Sequence, residues 1–526
     1  MNNSYAIPKK EILFYSLTGF GQNMICTLAG TFLLMFYTDA VMLSPALIGT
    51  MLLFGRLFDA FNDPIMGTLV DKTRTRWGKL RPYLLFAAIP IGLSTILCFW
   101  MPQGLSTDLK MLYAYITYFS FGILYTIIDV PYWGLSSAMS KDSGERTKLL
   151  TFARVLCTAG AGLMGLVVPF ITGYFTKDIY ASWEAINAPL IELAKVSLTG
   201  DALLSRIAEI ESAMVLEVAA MLRKVYFFVA LGTTAVAVPL MVSGFFAKER
   251  CRIDPEIPSL LKNLKLLKQN KPLLIIILAG VLGALRGVYG SFGLYICKYN
   301  LANYEFMGLK GEGLFTIMGL LMAPTGLIAS VLTPFFVKKM GKKSLTIWSN
   351  IFQFVLLMGI YLLGVNMFST GIINNTIMVI IVILYVLIGF PGGFMNVTNY
   401  AMIADTVDYL EMKTGKRAEG ICFSMQTFIN KIGMAATTLG VTLTLTVLQN
   451  INPQYYVPNQ INQPQITLRT FYTVAFLGAA ISTLLFLIPM FFYKFTEKEQ
   501  VRAVEIINNR RILEENQNII KESKND

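Results

Sequence analysis

The sequence contains no histidine, and only 14% of its 526 residues are charged. Without histidine, any proton that the protein moves near neutral pH must be held by a carboxylate. Hydrophobic residues, by contrast, make up 55% of the chain, and the mean hydropathy is +0.58. This composition is too apolar for a large soluble enzyme and indicates a polytopic helical membrane protein.

Cysteine is also scarce. The six cysteines form no CxxC pair, and five of them lie in apolar stretches while Cys251 lies in a basic loop. This spacing predicts neither disulfides nor a metal finger, and no cofactor is expected. The formal net charge is +12, but the cations occur in short turns between apolar runs and not on a face with interleaved aromatics. The charge therefore indicates membrane topology and not nucleic-acid binding.

Apolar runs of about 20 residues or more are long enough to cross a hydrocarbon core of about 30 Å. Twelve such runs have centres near 25, 58, 90, 123, 162, 236, 282, 325, 354, 386, 433 and 480. Basic turns, such as Lys72 to Arg81 and Lys338 to Lys343, alternate with turns poor in cations. By the positive-inside rule, the basic turns and both termini are predicted to be cytoplasmic, in the plasma or inner membrane, with no cleaved signal sequence. We predict an all-α membrane protein with twelve transmembrane helices in two pseudo-symmetric six-helix halves.

A similar turn follows corresponding spans in the two halves. Gly78-Lys79 comes after the second span and Gly341-Lys342 after the eighth, which indicates duplication. The predicted organisation is helices 1 to 5 in 1–175, an extracytoplasmic insertion in 176–224, helix 6 in 225–247, a cytoplasmic link in 248–271, the second half in 272–493 and a cytoplasmic tail in 494–526.

The insertion is interpreted as an amphipathic hairpin over the outer mouth. Asp201 is a candidate cap for one of its helices, because apolar residues recur after it at helical spacing. An insertion with no function is the alternative. The tail is predicted to form a helix on the cytoplasmic surface.

The second span holds an unusual number of polar groups. Arg56, Asp59, Asn62 and Asp63 fall on one helical face, because a helix turns about 100° per residue. Each charge costs about 2.5–3.5 kcal/mol on insertion scales, so these groups must pair or serve a function. Two carboxylates one turn apart repel each other unless a proton or a cation enters. With the Thr126 hydroxyl on a neighbouring helix, the oxygens predict a site for Na⁺ or H⁺, with Na⁺ held at Asp59 and Asp63. A cap or kink residue before the following proline is the alternative for Asp63.

Other spans also carry polar groups at helical spacing. The fourth has Tyr125, Asp129 and Trp133 at intervals of four, and an indole beside a carboxylate is typical of a sugar site. Across the spans, three interior carboxylates balance three interior cations. A structural lattice of ion pairs is one interpretation. A water-filled cavity between the halves is favoured, because helix packing does not require so many charges. The further candidates for this cavity are Arg154, Arg286, Gln426, Thr427 and Lys431.

Three motifs together resemble one known family. They are Asp59-Ala60-Phe61-Asn62-Asp63-Pro64 with Arg74-Thr75-Arg76-Trp77-Gly78-Lys79, the run from Tyr125 to Trp133, and Ala404-Asp405-Thr406-Val407-Asp408-Tyr409 followed by Gln426-Thr427 and Lys431. The chain resembles the glycoside-pentoside-hexuronide:cation symporters of the major facilitator superfamily.

That resemblance implies alternating access and coupling of a sugar to Na⁺, Li⁺ or H⁺. Carried over by position, it implies a cation site at Asp59, Asn62, Asp63 and Thr126. It implies a sugar site formed by Asp129, Trp133, Arg154, Gln426, Thr427 and Lys431. Gln22, Asn23 and Tyr125 are further candidates for contact with the substrate. Arg56, Arg146 and Arg286 are the candidates for charge pairing or gating. The expected partners are a sugar, a monovalent cation and the lipid bilayer, and we expect a monomer.

One departure from the family concerns the first span. Gln22 and Asn23 stand where a galactoside carrier of that family has a lysine followed by an aspartate. Loss of a carboxylate beside the sugar suits an anionic substrate, so a uronide is one hypothesis and a neutral oligosaccharide is another.

Three other functions are alternatives to sugar symport. A lysolipid symporter of a related branch would need an apolar side portal. An intramembrane aspartyl protease is disfavoured, because Asp59 and Asp63 share one helix. A passive channel would not need a paired cation site.

Overall fold

The structure is a computed structural model in which almost all of the chain is helical. It describes residues 7–140, 143–250, 267–302, 304–306, 308–370, 373–415 and 419–522. Most of the predicted link between the halves, residues 251–266, lies outside this part, as does Cys251.

The first half of the chain forms six helices in sequence. These are α1 Lys9–Ala40, α2 Pro45–Lys72, α3 Arg81–Cys98, α4 Thr107–Met139, α5 Ser143–Ser197 and α6 Gly200–Phe246.

The second half repeats this arrangement and adds a terminal helix. Its elements are α7 over 271–300, α8 Glu312–Met340, α9 Lys342–Thr370, α10 Asn375–Thr414, α11 Glu419–Ile451, α12 Gln465–Phe491 and α13 Glu497–Glu522.

Ten helices within the described residues are long and apolar enough to cross a membrane. The two parts of α7, bent by 52° at Gly283, together make an eleventh. The remaining helix of the twelve is α2, in which Pro45–Gly55 is a shorter apolar stretch among the described residues. The predicted fold class is confirmed, and the predicted helical tail is present as α13.

Each half has its own apolar core, and the halves meet along two helix pairs. One core cluster lies in the first half and two lie in the second. Helix α2 packs against α11, and α5 packs against α8. Small residues allow this close approach: a Cβ added at Gly49 would lie 2.5 Å from the Thr442 hydroxyl, and one at Gly173 would lie 3.2 Å from the Gly313 nitrogen.

The predicted repeat of turns is present, and each turn is closed in the same way. Gly78 and Gly341 both have positive φ, +111° and +82°, which other residues adopt only with strain. After Gly78, the backbone N–H groups of residues 79, 80 and 81 donate to Glu249 over 2.7–3.0 Å. After Gly341, the N–H of Lys342 donates to Glu497. Each carboxylate comes from the segment that follows the sixth helix of its half, so this segment is fastened to its own half.

The predicted insertion is not a separate unit. Helices α5 and α6 continue through 176–224 and are joined only at 198–199. The segment contains two helix breakers, Pro189 within α5 and Gly200, whose φ of +60° lies at the junction. Helix α5 has 55 residues and spans about 80 Å, well beyond the bilayer core. We call the projecting parts of α5 and α6 the hairpin, and this end of the bundle the hairpin face. Asp201 does not act as the predicted cap: it lies in the first turn of α6, and its carboxylate accepts a hydrogen bond from Asn452 at 2.9 Å.

Candidate functional site

Asp129 on α4 lies at the centre of the predicted sugar site. Its Oδ1 accepts hydrogen bonds from Gln22 Nε2 of α1 at 2.5 Å and from Trp133 Nε1 at 3.1 Å. Trp133 follows Asp129 by four residues, so helix geometry alone places the indole N–H above the carboxylate. The two bonds fix the Asp129 carboxylate, and the bond from Trp133 also orients the indole ring.

Gln22 belongs to this site in a different way from the prediction. It is 1% exposed, its amide N–H is committed to Asp129, and its Oε1 accepts no hydrogen bond from the described residues. Asn23 turns toward its own helix and donates to the Gly19 carbonyl at 2.9 Å. Gln22 therefore positions Asp129 and retains one unsatisfied acceptor, whereas the Asn23 amide N–H is satisfied by the backbone.

Arg154 on α5 connects the two halves at this point. Its Cζ lies 4.3 Å from the centroid of Trp133 and 5.0 Å from that of Tyr400 on α10. The side chain remains exposed, and cation–π attraction to two rings holds it in place. The predicted stacking of a pyranose on Trp133 must therefore share the indole with this guanidinium.

The predicted cation site lies where α2 faces α4. Asp59 lines a cavity between α1, α2 and α4 together with Cys26, Tyr125 and Gly122. A Cβ added at Gly122 would lie 3.2 Å from Asp59 Oδ1. Since Gly122 and Thr126 are one turn apart on α4, they share the face that Asp59 approaches. Thr126 is buried.

Asn62 is one turn beyond Asp59 and is partly buried. Its Nδ2 is enclosed and has no hydrogen-bond partner among the described residues. The side chain of Asp63, the fourth predicted ligand, lies outside the described part of the structure, as does that of Arg56. Carboxylate, amide and hydroxyl oxygens are donors that suit a small hard cation or a proton.

The predicted residues on α11 are only partly connected to this site. Gln426 is buried and donates to Asn430 on its own helix at 3.1 Å. Lys431 is partly buried on the same helix, which packs against α2. The side chains of Thr427 and Arg146 lie outside the described part.

Arg286 stands apart from the other candidates. It lies at the bend of α7, where its Cζ is 4.7 Å from the ring centroid of Phe486 on α12. One of its terminal nitrogens is enclosed without a partner among the described residues. These contacts place Arg286 within the second half, and its predicted gating role stays a prediction.

A second polar group, which the sequence did not predict, lies nearer the hairpin face. We call Asp39, Lys298 and Glu312, with Thr172 and Asn459, the buried charge cluster. Lys298 Nζ lies 2.6 Å from Asp39 Oδ2, 2.7 Å from Asn459 Oδ1 and 3.3 Å from Glu312 Oε1. Thr172 donates to the other oxygen of Glu312 at 2.5 Å. Each of these side chains is buried, and the cluster joins α1 and α5 of the first half to α7, α8 and the 452–464 loop of the second.

The sequence did contain a signal for this cluster that the prediction did not use, namely single charges at the ends of the first, seventh and eighth spans. Asp39, Lys298 and Glu312 each lie close to the hairpin end of an apolar run. Tyr400 gave no such signal, because it lies inside a run with no polar periodicity.

Comparison with known proteins places these observations in context. A family model described as "MFS/sugar transport protein" matches residues 14–497. The chain is 30% identical to the isoprimeverose transporter of Lactiplantibacillus pentosus, over 81% of this chain and 78% of that one. It is 29% identical to the glucuronide carrier protein homolog of Escherichia coli strain K12, over 95% and 96% of the two chains.

Solved structures give the same fold at low identity. The nucleoside transporter NupG aligns with a TM-score of 0.56 and 14% identity, over 92% of this chain and all of that one. The D-xylose-proton symporter aligns with a TM-score of 0.51 and 14% identity, over 90% and 96% of the two chains.

Proposed function

Because this chain belongs to the MFS/sugar transport family, we propose that it is a cation-coupled symporter that imports an acidic glycoside, such as a glucuronide. It is a multi-pass membrane protein of the major facilitator fold. Its relatives are transporters, which supports a transport role over catalysis. The family membership and the carrier names of the relatives support a sugar or glycoside as the substrate class.

The main support for an acidic substrate is the arrangement of Arg154, Trp133 and Asp129. Asp129 is already bonded to two donors from the protein, so much of its charge is compensated. Among the described side chains, Arg154 rests on aromatic rings and not on a carboxylate. An exposed guanidinium offers paired N–H donors that match a carboxylate, and the neutral Gln22 and Asn23 introduce no competing charge.

Coupling follows from the shared helix α4. Gly122 and Thr126 of this helix face Asp59, while Asp129 and Trp133, further along it, contact Gln22 and Arg154. A cation held at Asp59 fixes α2 against α4, and α4 in turn carries the groups that bind the sugar. Each ligand thereby stabilises the conformation that the other requires, which is the condition for symport.

The direction of transport requires an orientation in the membrane. By the positive-inside rule, the turns at 72–81 and 338–343 are cytoplasmic, so the hairpin face is extracytoplasmic. In the conformation described here, the buried charge cluster closes the hairpin face, while Arg154 remains exposed. With the proposed orientation, these two observations support an inward-facing arrangement of an alternating-access cycle.

Uptake measurements test the proposal directly. Proteoliposomes would be offered a glucuronide, the matching neutral glucoside and a lysophospholipid, each with a sodium gradient, a proton gradient or no gradient. We expect accumulation of the glucuronide above equilibrium with one of the gradients. Preference for the glucoside would indicate a neutral substrate in place of an acidic one. Uptake of the lysophospholipid alone would favour an amphiphile carrier. Equilibration without dependence on either gradient would contradict symport.

A further inference from the structure

The hairpin crosses from the first half of the molecule to the second. Glu211 on the projecting part of α6 is fully buried, and its Oε1 accepts hydrogen bonds from the Asn462 side chain at 2.7 Å and the Asn462 backbone N–H at 3.3 Å. Near the tip of the hairpin, Asp201 accepts from Asn452. Both asparagines belong to the 452–464 loop between α11 and α12. We call these two contacts the clasp.

Apolar packing strengthens the same connection. Ile461 of the 452–464 loop packs against the core of the first half, as do Tyr180 and Trp183 of the hairpin. Glu211 Oε2 has no hydrogen-bond partner among the described residues, so the two bonds from Asn462 to Oε1 are what offsets the cost of burying this side chain. The 452–464 loop is therefore held against the first half both by the hydrogen bonds to α6 and by the packing of Ile461.

The 452–464 loop connects the clasp to the buried charge cluster. A pocket of about 110 Å³ adjoins the cluster and is lined by Tyr180 and Glu184 of the hairpin, by Lys298 and Glu312, and by Asn459 and Ile461 of the loop. Asn459 belongs to both the loop and the cluster: it bonds Lys298 and the Asp39 backbone carbonyl, and it lies three residues before Asn462. Movement of the loop that breaks the clasp must therefore also move a member of the cluster.

We propose that the hairpin is a gate clasp: it keeps the hairpin face closed by gripping the 452–464 loop, and it must release this loop whenever the binding site opens to that face. This inference rests on the proposed transport function. In an alternating-access cycle the two halves separate at one face, and every described clasp contact joins a first-half helix to a second-half loop.

A reversible cross-link tests whether the clasp must open. Glu211→Cys and Asn462→Cys would be combined and joined by a short bifunctional methanethiosulfonate, whose links a reductant removes. We expect glycoside uptake to fall to the level of empty vesicles and to recover on reduction. The matched control is Arg206→Cys with Glu209→Cys, a pair that lies on α6 alone, with its charged groups 2.6 Å apart. Cross-linking this pair should leave uptake unchanged. Full uptake through the cross-linked Glu211–Asn462 pair would overturn the proposal.

A second measurement needs no substrate and so separates the clasp from the proposed function. Cys26 lines the cavity beside Asp59, whereas Cys98, Cys157, Cys297 and Cys422 are buried. In intact cells, an impermeant thiol reagent should label Cys26 about tenfold faster in Glu211→Ala than in the unaltered protein, because loss of the two Glu211–Asn462 hydrogen bonds shifts the closed equilibrium by about that factor. Cys26→Ser identifies the labelled thiol, and Glu209→Ala is the control. An unchanged labelling rate in Glu211→Ala would overturn the clasp, whatever the substrate.

Discussion

Asp59 of α2 points its carboxylate at Gly122 of α4. Its Oδ1 is 3.2 Å from the place where a Cβ on that glycine would stand, and Thr126 is one turn further along the same face. A hydrogen in place of a side chain at position 122 thus allows the acidic helix to approach α4 closely enough for one ion to contact both helices.

Gly122→Ala should weaken cation binding, because the added methyl must displace the Asp59 carboxylate by a few tenths of an ångström. We expect the cation concentration for half-maximal stimulation of uptake to rise about tenfold, with a smaller effect on sugar affinity. Gly162→Ala is the matched control, since a Cβ there meets nothing within 4 Å. If the two variants gave the same half-maximal cation concentration, the assignment of Asp59 as a cation ligand would be contradicted.

Asp59→Asn should abolish accumulation against a gradient but leave exchange of labelled for unlabelled substrate. The amide cannot carry the charge that balances a cation or a proton, while the hydrogen bonds of Asp129 to Gln22 and Trp133 in the proposed sugar site remain. Accumulation and counterflow would be measured in the same vesicles, with the exposed Glu209→Gln as the control. Undiminished accumulation by Asp59→Asn would refute the assigned cation site.

Arg154→Gln should lower the affinity for acidic substrates more than the affinity for neutral ones. We expect the KM for a glucuronide to rise by about tenfold or more, and that for the matching glucoside to change much less, because a charged hydrogen bond is lost only with the former. Lys431→Gln is expected to act in the same direction. Arg206→Gln on the hairpin provides the control, and a larger loss for the neutral sugar would exclude the uronide.

Trp133→Phe should test the role of the indole. Phenylalanine keeps a ring beside Arg154 but removes the N–H that donates to Asp129 at 3.1 Å. We expect a severalfold higher KM for the sugar, since a hydrogen bond contributes about 1 kcal/mol, with the cation dependence unchanged. Trp348→Phe, at an exposed position on α9, is the control. A parallel loss of both affinities would indicate a structural role for the indole.

Lys298→Met should destabilise the protein strongly. Removal of the lysine leaves Asp39 and Glu312 buried without their cation, and breaking a buried pair in this way costs about 3–5 kcal/mol. Thermal unfolding in detergent measures the effect, and Asp39→Asn in the same chain should restore part of the loss. Lys195→Met removes an ion pair whose side chains are 44% and 69% exposed, and it should change little.

Periodicity within a helix was the part of the site that could be predicted. Asp129 and Trp133 were placed on one face by their spacing, and the structure joins them by a hydrogen bond. The contacts between helices could not be predicted, because spacing defines the faces of one helix but not which helix meets them. Gln22 therefore binds Asp129 across 107 positions, and Arg154 reaches Tyr400 in the other half, without a local signal.

In the fold, too, local features could be predicted from the sequence and contacts between distant segments could not. The glycines at 78 and 341 identified equivalent turns, but the carboxylates that close them, Glu249 and Glu497, lie at different distances from the preceding helices and were missed. The predicted end of the fifth membrane span, near residue 176, was set by the length of helix that a bilayer core requires. The helix itself continues to Ser197, because its hydrogen bonding depends on the local chain and not on the bilayer.

The carboxylates of Glu249 and Glu497 have a mechanical consequence. Since each one ties the exit of its last membrane helix to a turn of the same half, internal rearrangement within a half breaks bonds that a rotation between halves leaves intact. Each half is thereby braced internally. The contacts that change in a transport cycle are then those between the halves: the two helix pairs, the buried charge cluster and the clasp.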